Sequence, residues 1–85
     1  MELVTNIIGY IAAFIGAITF LPQVIKAWKT KRTKDVSFAS FSLLALVSAL
    51  WISYGLLLKA GPVILVNIII LTLSIFLLFL KRKYG

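Results

Sequence analysis

Residues 20–37 read Phe-Leu-Pro-Gln-Val-Ile-Lys-Ala-Trp-Lys-Thr-Lys-Arg-Thr-Lys-Asp-Val-Ser (FLPQVIKAWKTKRTKDVS), and they join an oily run to a basic one. On one side, Leu3 to Ile25 carries no charge across 23 residues; on the other, Val36 to Leu58 is a further 23 and Ala60 to Leu80 is 21. At about 1.5 Å per residue each run makes a helix about 30–35 Å long, enough to cross a hydrocarbon layer about 30 Å thick. The expected fold is all-α transmembrane: a single three-helix bundle over residues 1–85, with helix 1 at about 4–28, helix 2 at about 37–58 and helix 3 at about 62–81.

Composition narrows the function. The chain has 85 residues, 62% of them hydrophobic, with nine Lys or Arg against two acidic side chains and a formal charge of +7. On a soluble domain that balance points to nucleic acid. Here the charges sit in blocks at the ends of apolar runs, so nucleic acid is not an expected partner. Cysteine and histidine are absent, which removes thiol redox chemistry and the usual soft-ligand metal sites. No G-x-x-x-x-G-K phosphate loop occurs. No enzyme activity, metal or cofactor is expected. The first run is too long for a signal peptide and lacks a basic start and a cleavage site.

The basic residues also orient the chain. Lys26, Lys29, Lys31, Arg32 and Lys34 fall in or beside the first connection and Lys81, Arg82 and Lys83 in the tail; the second connection has only Lys59, and the N-terminus carries Glu2. Short connections rich in Lys and Arg stay cytoplasmic, which places the N-terminus outside and the C-terminus inside. Contact with anionic lipid headgroups is a second use for the same charges. Gly61-Pro62 reads as a sharp outer turn, with glycine ending helix 2 and proline suiting the first turn of helix 3. Asp35 and Ser37 stand where helix 2 needs N-cap oxygens.

Each helix carries a stripe that is not simply greasy. It is Gly9, Ala12, Gly16, Thr19 and Gln23 in helix 1; Ser40, Leu44, Ser48, Trp51 and Gly55 in helix 2; and Ile64, Asn67, Leu71 and Ser74 in helix 3. Small residues seat neighbouring helices, and polar ones turn from lipid toward protein or water. Trp51 lies seven residues from the outer end of its run and Asn67 seven from the outer end of its own. Both therefore sit about 10 Å below the outer boundary on consecutive antiparallel helices. Two readings stand side by side for each: for Asn67 an interhelical hydrogen bond or a solute contact, for Trp51 a packed or lipid-facing ring or one face of a solute site. An indole face beside an amide suits a sugar, whose C–H face lies on the ring while its hydroxyls trade hydrogen bonds. No charge lies within the spans for an ionic solute, and no buried carboxylate for proton coupling.

Pro22 has no N–H to offer the Ile18 carbonyl, so helix 1 is expected to bend there, with Gln23 and Thr19 satisfying the freed groups or lining the path; a simple helix terminator is the other reading. Three helices cannot enclose a solute path, so the transporter reading requires two copies, oriented alike about an axis along the membrane normal.

This ordered set resembles the SemiSWEET sugar transporters, the bacterial single-repeat relatives of SWEETs in the PQ-loop family. The resemblance covers essentially the whole chain. It rests on length, three spans, Pro22-Gln23, the Lys31-Arg32-Thr33-Lys34-Asp35-Val36-Ser37 connection, Trp51 followed by Tyr54-Gly55, and Asn67. It implies a parallel homodimer in the bacterial inner membrane, moving mono- or disaccharides by alternating access without energy coupling. By the same likeness Trp51 and Asn67 bind substrate, Pro22, Gln23 and Thr19 form the hinge and inner gate, and Tyr54 belongs to the outer gate. With only Lys59 near that turn, a salt-bridged outer gate is not expected. The alternatives are another small-solute exporter, which generally needs a buried acid this chain lacks, and a non-transporting scaffold subunit.

Overall fold

A computed structural model describes residues 2–34 and 36–85 and contains three helices: α1 (Glu2–Thr30), α2 (Phe38–Leu58) and α3 (Gly61–Tyr84). All three are long and apolar enough to span a bilayer. α1 runs unbroken through Pro22 and extends two residues beyond the expected limits at each end. α3 reaches three residues further than expected, because its last turn carries Lys81, Arg82 and Lys83, which complement the carbonyl end of a helix.

Helix termini follow from local chemistry. Ser37 caps α2, its hydroxyl accepting the Ser40 N–H at 3.2 Å. The expected partner cap Asp35 lies outside the described residues. At the other end of α2 the expectation about glycine needs correction. The left-handed residue is Lys59 (φ 55°), whose N–H reaches the Leu56 carbonyl while the Ala60 N–H reaches the Gly55 carbonyl at 2.9 Å. This is a Schellman closure with lysine where glycine usually stands. Gly61 is already the first residue of α3, and its lack of a side chain serves packing: a Cβ there would overlap the Tyr10 hydroxyl of α1.

α3 packs against both other helices, whereas α1 and α2 have no close backbone approach. α1 and α3 run parallel and are held at both ends. Near the turn, Gly9 lies against the Pro62 ring. At the basic end, Val24 and Ala27 of α1 meet Leu77 and Leu80 of α3 in the buried core, flanked by Phe20, Val36, Phe41, Leu73 and Phe76. The Phe20 and Phe41 rings, 6.1 Å apart, bridge α1 to α2 there. α2 packs antiparallel to α3 through Gly55, where a methyl would stand 2.9 Å from Ile64 Cγ1 and 3.3 Å from Val63 Cγ1. Glycine at both seams lets backbones close to a distance side chains would forbid.

The face α1 turns to α3 is offset by one residue from the stripe read in the sequence. Gly9, Ala13, Phe20, Val24 and Ala27 are buried or half-buried, while Ala12, Gly16, Thr19 and Gln23 are exposed. Seating between helices accounts closely for Gly9 and loosely for Gly16, whose added methyl would stand 3.9 Å from Val66 Cγ2, but not for Ala12, Thr19 or Gln23. Ala12, Gly16, Thr19 and Gln23 are left largely uncovered by the chain's own packing.

Candidate functional site

Trp51 and Asn67 are brought to one level by the α2–α3 seam. Gly55 and Val63 face each other across it. Trp51 stands four residues before Gly55 and Asn67 four residues after Val63, one helical turn further from the α2–α3 connection on the same two faces. Asn67 is half-buried, and its Nδ2 donates to the Val63 carbonyl at 2.8 Å. The hydrogen bond is therefore within α3, not between helices. It uses one amide donor and leaves the other donor and the Oδ1 acceptor without a partner among the described residues. Trp51 is 47% exposed. Its ring and that of Tyr54 meet in a T-shaped pair, centroids 5.3 Å apart at 85°. No hydrogen bond joins Trp51 to Asn67 among the described residues.

The Pro22 region lies at the opposite end. Val24 is in contact with the core cluster that holds Leu77, and Asn67 precedes Leu77 by ten residues on α3; the two regions are thus about 15 Å apart along the axis. Thr19 does not answer the carbonyl freed by Pro22: its hydroxyl donates to Ile15 at 2.8 Å, the usual bond of a threonine to the preceding turn. Gln23 lines a cavity of about 420 Å³ at the basic end, with Lys26, Thr30, Arg32, Phe41 and Leu77 among the other walls. This cavity opens between α1, the first connection and α2. A second, of about 490 Å³, lies over the end of α3 and is lined by Lys31, Arg32, Thr33, Lys34, Tyr84 and Gly85. Neither is lined by Trp51 or Asn67. Trp51 is half exposed and Asn67 half-buried, so the two side chains lie on a half-open surface of the chain.

Two contacts escaped the sequence. Tyr10 packs on the Gly61 backbone at the turn end; a phenol in an aliphatic run near a span end was the available hint. Lys81 donates to the Thr33 carbonyl at 2.9 Å, tying the end of α3 to the first connection across 48 positions. Separation of that order leaves no local pattern to read.

Spans, seams and the site at one level define a small multi-pass membrane protein built from a single three-helix unit. The chain belongs to the PQ-loop family: the PQ loop repeat matches residues 4–64. It is 39% identical over 80 residues to the sugar transporter SemiSWEET of Leptospira biflexa, covering 94% of both chains. It is 37% identical to the protein of the same name from Bradyrhizobium diazoefficiens, covering 94% of this chain and 93% of that one. A crystal structure of a bacterial homologue of SWEET transporters superposes with a TM-score of 0.90 at 44% identity, over 96% of this chain and 99% of the other. A SemiSWEET crystallised in the inward-open conformation gives a TM-score of 0.88 at 28% identity, over 98% and 88%.

Proposed function

We propose that this chain transports sugars: two copies, parallel and with N-termini outside, carry uncharged mono- or disaccharides down their gradient by alternating access. The relatives named as sugar transporters support the solute class. The observation that carries the reading is the pairing at one level of a half-exposed indole with an amide holding unused hydrogen-bonding capacity. A second protomer facing the first supplies the missing wall and doubles the Trp51 and Asn67 set around a central chamber. There the sugar's C–H face stacks on Trp51 and its hydroxyls bond to Asn67. Glu2 and Asp35, the only acidic side chains, lie outside the apolar runs, so the cycle runs without proton coupling. Pro22 is the hinge of the inner opening, with Gln23 and Thr19 beside it, and Tyr54 closes over Trp51 from the outer side.

The test is counterflow of labelled sugars in proteoliposomes. Trp51→Ala and Asn67→Ala are each expected to lose flux while remaining folded dimers, and wild-type flux is expected to ignore protonophores. Normal flux in both variants, or collapse on dissipating a proton gradient, refutes the proposal.

A further inference from the structure

The first connection is folded over the end of α3. Lys31, one residue past α1, is left-handed (φ 57°) and reverses the chain. The Arg32 N–H then bonds the Thr30 hydroxyl at 3.3 Å, the Val36 N–H bonds the Thr33 carbonyl at 3.0 Å, and Lys81 anchors that same carbonyl. The result is the second cavity, with Lys31, Arg32 and Lys34 in its walls beside Tyr84. Glu2, the one acidic side chain among the described residues, is at the far end of α1. Counting Asp35 as well, the stretch 26–35 still sets five cations against one carboxylate. Thr33 is 2% exposed, and its hydroxyl has no hydrogen-bond partner among the described residues. Lys31 and Lys83 both approach the Tyr84 ring, at 5.9 and 5.4 Å, so two ammonium groups converge on that aromatic.

We propose that this cavity holds the phosphate of an anionic phospholipid. Depth selects lipid over a dissolved anion. Tyr84 lies four residues beyond Leu80, the end of the apolar run, which is about 6 Å past the hydrocarbon boundary and inside a headgroup layer about 5–8 Å thick. Below it on the hydrocarbon side, Phe79 is exposed on α3 with Lys83 over its ring, and Trp28 is exposed at the end of α1. Both offer apolar surface to acyl chains. The Arg32 guanidinium suits a forked contact to two phosphate oxygens, and the lysines add charge.

Native mass spectrometry of the full chain in non-ionic detergent, with phosphatidylglycerol or phosphatidylcholine added, reads this directly. Wild type is expected to retain phosphatidylglycerol preferentially. Two doubles remove equal charge at the same end: Lys31→Gln/Arg32→Gln inside the cavity and Lys29→Gln/Arg82→Gln outside it. At about fivefold per cation, the cavity double loses about 25-fold in affinity and the control keeps its preference. Arg32→Lys, which preserves charge, loses severalfold because an ammonium cannot make the forked contact. Helical content of every variant is checked by circular dichroism. Equal losses in the two doubles show diffuse surface charge and overturn the site. Displacement of the lipid by an equal concentration of soluble glycerol phosphate overturns the lipid, and unchanged binding in both the cavity double and Arg32→Lys overturns both.

Discussion

Alanine at Gly9 and alanine at Gly16 are expected to change stability in opposite directions, although both are glycines in the apolar run of one helix. A methyl at Gly9 would stand 2.7 and 2.8 Å from Pro62 Cγ and Cβ. Carbon–carbon contacts settle at about 3.5–4.0 Å, so α1 and α3 must part by about 0.8 Å or more. The pyrrolidine ring cannot rotate aside as a flexible side chain would. Overpacking of this kind costs about 1–3 kcal/mol, partly offset by about 0.5–1 kcal/mol from replacing glycine in a helix. A methyl at Gly16 meets only Val66 Cγ2 at 3.9 Å, an ordinary contact, so only the gain of about 0.5–1 kcal/mol remains. The two alanines should therefore differ by about 2 kcal/mol. Unfolding in mixed micelles with increasing dodecyl sulfate, followed by circular dichroism, measures the difference. In a Pro62→Gly background, which removes both the Cγ and the Cβ that the methyl would meet, Gly9→Ala should lose most of its cost, since the two sites share one contact. Equal effects of the two alanines, or an undiminished cost of Gly9→Ala in that background, would refute the close approach of α1 to α3 at the turn.

Two further outcomes are expected. Lys59→Gly removes a left-handed lysine from the close of α2, and the same unfolding measurement should show a gain of about 0.5–1 kcal/mol, since glycine carries no Cβ penalty there; a loss would contradict the Schellman assignment. Pro22→Ala restores an N–H opposite the Ile18 carbonyl, so unfolding should become harder by of order 1 kcal/mol, less than in water because membrane helices tolerate proline better. On the hinge proposal, sugar counterflow slows in the same variant, and faster flux would count against it.

The three spans were legible because bilayer thickness dictates a run length and charge blocks punctuate it. The level shared by Trp51 and Asn67 was legible for a related reason: a two-residue connection, Lys59-Ala60, locks antiparallel register, so distance from the run ends measures depth. Rotation about the helix axis was much less so. In lipid the α1 stripe Ala12, Gly16, Thr19 and Gln23 and its neighbour Ala13, Phe20, Val24 and Ala27 both avoid charge, and composition does not say which one meets α3. Gly61 was assigned to a backbone conformation, yet it answers the Tyr10 hydroxyl, and such a demand comes from a residue 51 positions away. The fold over the end of α3, with its Lys81–Thr33 bond, was hidden by the same separation.

The two ends of the α1–α3 seam differ in kind, and that difference bears on how the proposed cycle can run. At the turn, Gly9 on Pro62 is a fit of shape between a bare backbone and a rigid ring; parting them leaves a gap that neither lipid nor a rotamer change fills well. At the basic end, Val24 and Ala27 meet the flexible side chains of Leu77 and Leu80, an apolar contact that lipid tails can replace at little cost because they are equally apolar. Pro22 lies just before that second contact, where α1 is already short of one backbone hydrogen bond. An α1 that moves should therefore stay pinned at Gly9 and release at Val24, swinging the exposed Gln23 and Thr19 face with it. The chain thus places its tightest helix contact at one end of α1 and its most replaceable one at the other, which is the asymmetry that opening at a single face requires.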